Sequence, residues 1–177
     1  MKIKNWTMIE EAGSYEKLPV GGYVAKITDV EDNPGEEYLT VTWDVAEGEH
    51  AGHYANDDGW RHQFRKYYNE KSEPFFRSFL ARLEESNRAF SVAEWEKTAN
   101  ERALVGLEFG ALVQERYYTN AKGEDKTALE VAGVVASQDV RNGDYKLPAP
   151  RDMREKVPGA APAVDASSSV YEEDIPF

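Results

Sequence analysis

PVGGYVAKITDVEDNPGEEYLTVTWDVA, residues 19–46, holds two runs in which residues of like character return at every second position. In the first, Tyr23, Ala25 and Ile27 share a face. In the second, Leu39, Val41, Trp43 and Val45 face one way, and Tyr38, Thr40, Thr42 and Asp44 the other. A period of two marks a half-buried strand, because successive side chains of a strand point to opposite faces. Asn33-Pro34-Gly35 separates the runs and is a strong turn signal. Two such runs joined by a tight turn predict an antiparallel hairpin. The set from Leu39 to Val45 is its core face, which makes Trp43 a structural residue.

Working outward, residues 51–73 mix polar and aromatic character and read as an irregular strand or extended loop. Pro74 then opens PFFRSFLARLEESN, in which Phe75, Phe76, Phe79, Leu80 and Leu83 recur at helical spacing. Proline suits the first turn, where its missing N–H would have no partner anyway. Ser91, with Glu94 three residues on, predicts the N-cap of a second short helix. Residues 104–118 alternate through Leu107, Phe109, Ala111 and Val113, and 126–136 through Leu129, Val131 and Val135. A turn carrying Asn120 and Gly123 lies between them. Strands that do not alternate with helices exclude a doubly wound α/β fold. The order predicts an all-β protein with one or two helices: a five-stranded OB-fold barrel over residues 18–137, with a helix between strands 3 and 4. A generic α+β sandwich is the alternative.

The 177 residues include 33 acidic and 21 basic ones, a formal net charge of -12. That argues against a polycation that grips duplex DNA by charge alone. With 41% hydrophobic residues the chain can bury a sizeable core. Cysteine is absent, which removes disulfides, thiolate metal sites and a cysteine nucleophile. No charge-free run approaches the roughly 18 residues of a membrane span. No apolar stretch follows Met1-Lys2-Ile3-Lys4, so neither a membrane partner nor secretion is expected and a cytoplasmic location is. Composition changes at Pro148, and from that residue on five of the eight prolines fall among Ala and Ser. Residues 1–147 are therefore expected to form the binding domain, and 148–177 a disordered, flexible tail.

Single-strand binding needs aromatic faces for bases and cations for phosphates. Two places supply both. Trp60, Arg61, Arg65, Lys66 and Tyr67 fall near the third strand, and Arg116, Tyr117, Tyr118, Lys122 and Lys126 frame the loop between the last two strands. Both lie where an OB-fold binds its ligand. Against them, Glu31, Asp32, Glu36 and Glu37 make the first hairpin loop repel phosphate.

The chain ends Glu172-Glu173-Asp174-Ile175-Pro176-Phe177. This ending resembles the acidic C-terminal tip of bacterial single-stranded DNA-binding proteins, and here too it follows a linker rich in Pro, Ala and Ser. The body, through stretches such as 18–32, 37–54, 74–87, 104–131 and 140–148, resembles the single-stranded DNA-binding-type proteins of phages and mobile elements of Gram-positive bacteria. The resemblance implies an OB-type body that coats single-stranded DNA. It also implies a tip, Glu172 to Phe177, that recruits host or phage proteins of DNA replication, recombination and repair. It leaves open whether the chain forms a homo-oligomer.

Other chemistry has little support. His50 and His53 stand three apart near Asp57 and Asp58, but in an extended segment their rings would point to opposite faces. No zinc-protease, zinc-ribbon or phosphate-loop pattern is present. The expectation is a binding protein, not an enzyme, with no cofactor, no metal and no catalytic residue. The rival reading is an acidic DNA mimic or inhibitor that never touches DNA.

Overall fold

β1 (Gly21–Asn33) and β2 (Tyr38–Val45) form the expected hairpin, antiparallel, with Val30 opposite Val41 and Ile27 opposite Trp43. The computed structural model describes residues 16–57 and 60–154. After β2 the chain makes a series of turns and a 3-10 turn (Trp60–His62), then enters β3 (Gln63–Tyr67). Two helices follow, α1 (Glu73–Ser86) and α2 (Val92–Trp95). The second sheet pair is β4 (Glu108–Thr119) and β5 (Asp125–Val135). A short helix α3 (Ser137–Asn142) and a three-residue strand β6 (Arg151–Met153) complete the description.

The protein is thus mostly β, with three short helices. Its strands lie in the order β3-β2-β1-β4-β5, all antiparallel, and β6 adds to β4 in parallel. The five expected strands are joined by a sixth. The sheet is curled. Phe64 of β3 meets Phe109 of β4 with ring centroids 5.8 Å apart, although β2 and β1 lie between them. In a flat sheet three strand spacings alone would separate them by about 14 Å. Among the described residues no ladder joins β3 to β5, so the sheet remains open between its ends.

The concave face is the core. Ala25, Ile27 and Val30, the β2 row including Trp43, then Phe64, Phe109, Ala111, Val113, Val131 and Val134 meet there, and α1 covers them with Phe79, Leu80 and Leu83. Two bulges correct the simple alternation. Thr28 is the extra residue in β1, which lets Val30 rejoin the inner face after Ile27. Ala132 is the extra residue in β5, so Val134 points inward where the unbroken period selects Val135. The helix face also needs correction. Phe75 is 39% exposed, because at 100° per residue it lies about 90° from the centre of the stripe formed by Phe76, Phe79, Leu80 and Leu83. Asn87 ties α1 to β4: its Nδ2 donates to Leu83 O and Glu108 O, both at 2.8 Å, and its Oδ1 accepts from Glu108 N.

The expected domain boundary at Pro148 falls inside the fold. From α3 the chain runs along the convex face of the sheet. A Cβ on Gly110 would lie 2.7 Å from Val140, and one on Gly22 would lie 2.5 Å from the Tyr145 ring. Gln114 Nε2 donates to Pro148 O at 2.8 Å, and β6 then fills the edge of β4 that β1 leaves vacant beyond Val113. Residues 148–154 therefore belong to the body. The rest of the proposed tail, including Glu172 to Phe177, lies outside the described residues.

Candidate nucleic-acid interface

The path of residues 137–154 decides which part of the convex face can meet a ligand. It covers β1, β4 and the near half of β5, and touches neither β2 nor β3 in any contact described above. The convex side of β2 and β3 carries Tyr38, Thr40, Thr42, Gln63, Arg65 and Tyr67, the residues opposite the core rows. Here the Arg65 guanidinium lies 4.6 Å from the centre of the Tyr38 ring, and Tyr38 stands 5.2 Å from Tyr67. A side-chain hydrogen bond with Tyr67 raises the Arg65 pKa above its ordinary value. Gln63 donates to Thr42 Oγ1 beside them.

Strand alternation sends the neighbour of Arg65 the other way. Lys66 is 0% exposed, with its ammonium 5.0 Å from the centre of the Phe79 ring. Desolvation pulls its pKa well below the ordinary value. Lys66 therefore does not reach a phosphate, which corrects its assignment to the interface. Trp60, by contrast, is 68% exposed, and the Arg61 guanidinium lies 5.0 Å from its ring. Arg61 also stands 3.9 Å from Asp57.

The second cluster splits between two faces. The β4–β5 register pairs Tyr118 with Lys126, Arg116 with Ala128 and Gln114 with Glu130 on the convex side, the side of Arg65. Arg116 lies 5.3 Å from the centre of the Tyr118 ring. Tyr117 faces the other way, beside Glu115 and Asp152. Its hydroxyl donates to Glu115 at 2.9 Å, and that bond is the main cause of its raised pKa. Arg154, held by Asp152, lies 5.4 Å from the centre of its ring. Lys122 sits in the exposed turn, where Asn120 Oδ1 accepts from the Lys122 and Glu124 N–H groups, and Lys126 pairs with Glu124 at 3.3 Å.

Four arginines thus lie on aromatic rings: Arg61 on Trp60, Arg65 on Tyr38, Arg116 on Tyr118 and Arg154 on Tyr117. The exposed Trp60 ring and the partly exposed Tyr117 and Tyr118 rings each have a cation at the side, the combination that bases and phosphates require, whereas the Tyr38 ring beside Arg65 is buried. Sequence reading missed Tyr38, whose partners follow only from the register with β3. It also missed Arg151 and Arg154, because a three-residue strand is too short to show a period. Near the end of β1, Asp32 accepts from the Tyr68 hydroxyl and Asp29 pairs with Arg102.

The segment holding His50 and His53 is a run of turns, not an extended strand. It brings the two rings to 6.3 Å, and the buried His62 stacks on Tyr54 at 4.6 Å. Burial lowers the His62 pKa. Among the described residues no group of three or more His, Asp or Glu side chains could hold a metal ion. Nor is any helix among them long and apolar enough to cross a membrane. The chain matches no protein-family model, and no curated protein matches it.

Proposed function

We propose that this chain is a single-stranded DNA-binding protein with an OB-type body, and that it is not an enzyme. The observation that carries the reading is the convex side of β2 and β3, where the Arg65 guanidinium lies 4.6 Å from the centre of the buried Tyr38 ring and hydrogen-bonds Tyr67. An OB-fold binds its ligand across strands 2 and 3 and the loops beside them. The curled five-strand sheet with α1 between β3 and β4 supports that body plan. The Arg116–Tyr118 pair and Lys126, on the same side of the sheet, extend the path toward the β4–β5 turn. The protein coats exposed strands in the cytoplasm, and its acidic segment Glu172 to Phe177 recruits proteins of replication, recombination or repair.

The net charge of -12 favours a second reading, an acidic DNA mimic that binds a protein in place of DNA. One experiment separates the two. Anisotropy of a labelled dT oligonucleotide, titrated with the full chain at low and moderate salt beside a duplex of equal length, should show preference for the single strand. No binding at low salt would end the first reading.

A further inference from the structure

On the convex face of the β4–β5–β6 arm one guanidinium group is bonded to a carboxylate and a second lies beside it. The parallel register places Arg151 directly beside Arg116. Arg151 donates to Glu130 at 2.7 Å, with 25% of the Arg151 side chain and 16% of the Glu130 side chain exposed. Arg116 acts on the same carboxyl through space, while desolvation opposes both arginines and raises the Glu130 pKa. The Nε atoms of Arg116 and Arg151 are buried and make no hydrogen bond. Two cations with one half-buried anion leave the spot positive, in a chain whose net charge is -12. Two partly exposed guanidinium groups beside one carboxylate make the spot attractive to an anion.

We infer that Arg116 and Arg151 form a phosphate seat, and that its ligand is a backbone phosphodiester of the strand that stacks on Tyr118. The seat rests on the function proposed above and adds a component to it: β6 is part of the binding surface. Arg151 reaches its place only because residues 144–150 carry the chain across the sheet and set β6 on the free edge of β4. Glu130 holds Arg151 in position and competes with the phosphate for it.

The test uses the full chain and a labelled dT oligonucleotide over a range of salt. Arg151→Gln should weaken binding about tenfold at low salt, the scale of one charge-assisted hydrogen bond. It should also flatten the dependence of log affinity on log salt by about 0.7, the share of one phosphate on a single strand. Glu130→Gln should tighten binding. The double variant Arg151→Gln/Glu130→Gln, which leaves no lone half-buried carboxylate, should bind more weakly than Glu130→Gln alone. If neither Arg151 variant changes affinity or slope relative to its parent while Arg65→Ala still weakens binding, the seat is wrong and the function stands. If the wild type binds no single strand, the function fails and the seat with it. Spectra of the arginine Nε–H groups separate sources of phosphate: signals of Arg116 and Arg151 should move with the oligonucleotide. Movement with inorganic phosphate but not with the oligonucleotide would overturn the proposal.

Discussion

β3 and the outer half of β4 are written in the same mixture of cations and aromatics, yet the molecule uses them differently. In Gln63–Tyr67 alternation divides the residues between two environments: Phe64 and Lys66 enter the core, and Arg65 and Tyr67 face out. In Glu115–Thr119 the same alternation divides them between two faces that are both half-exposed. The strand period is identical, but α1 and the curl of the sheet close over β3, whereas β4 beyond Gln114 extends past the core. A cation in the wrong phase is lost to the ligand in the first case and merely placed on the opposite face in the second.

The largest test of this contrast lies beneath β3. Phe79, 0% exposed, packs against Phe64 at 6.1 Å. Phe79→Ala should cost about 3–5 kcal/mol in urea unfolding. Tyr117→Ala should stay within about 1 kcal/mol if its face lies outside the core. Equal losses would erase the distinction between the two regions.

Lys66 offers the next test. Its folded pKa lies well below 10.5, so the unfolded chain binds more protons between that lowered value and 10.5. Stability should therefore rise with pH across this window and fall back as pH drops through the folded value. Above pH 10 a term of opposite sign enters, because burial and Asp32 raise the Tyr68 pKa to about 12. Unfolding measured from pH 7 to 10 should show the upward slope in the wild type and a flatter one in Lys66→Met. That variant should also be more stable at pH 7, because methionine carries no charge to desolvate. Unchanged affinity for single-stranded DNA would confirm that Lys66 belongs to the core, and a large loss would return it to the interface.

Binding by the two tyrosines of β4 sharpens the comparison further. Tyr118 shares its face with Arg116, Lys126 and Arg65, so Tyr118→Ala should weaken oligonucleotide binding by about 1–3 kcal/mol, the value of one stacked base. Tyr117→Ala should do less, and Tyr118→Phe less still. The reverse order would place the strand on the face of Glu115 and Asp152.

The smallest expected effect concerns His62. Burial lowers its pKa below 6.5, so the stability it contributes is present above that value and is lost as pH falls through the folded pKa. Thermal unfolding of His62→Phe between pH 7 and 5 should show a weaker acid dependence than the wild type. An identical profile would mean that the ring remains neutral in both states across that range.

Local pattern alone determined a good deal about this protein. The β1–β2 hairpin and its turn, the core row from Leu39 to Val45, the helix opening at Pro74 and the N-cap at Ser91 were all legible, because period, turn chemistry and capping act between residues close in sequence. The two aromatic–basic segments were legible as compositions. Which members of them face a ligand was not. That Lys66 is buried, that Tyr38 joins Arg65 and Tyr67, and that Tyr117 and Tyr118 part company followed from strand register, from the bulges at Thr28 and Ala132, and from the helix laid over β3. The sixth strand was hidden for the same reason. Arg151–Met153 has no period to read and becomes a strand only because β1 stops short on β4 and leaves donors and acceptors there to be paired. Local rules fix what a segment can be, whereas contacts between residues far apart in the chain decide which of its faces meets the core, the rest of the sheet or a ligand.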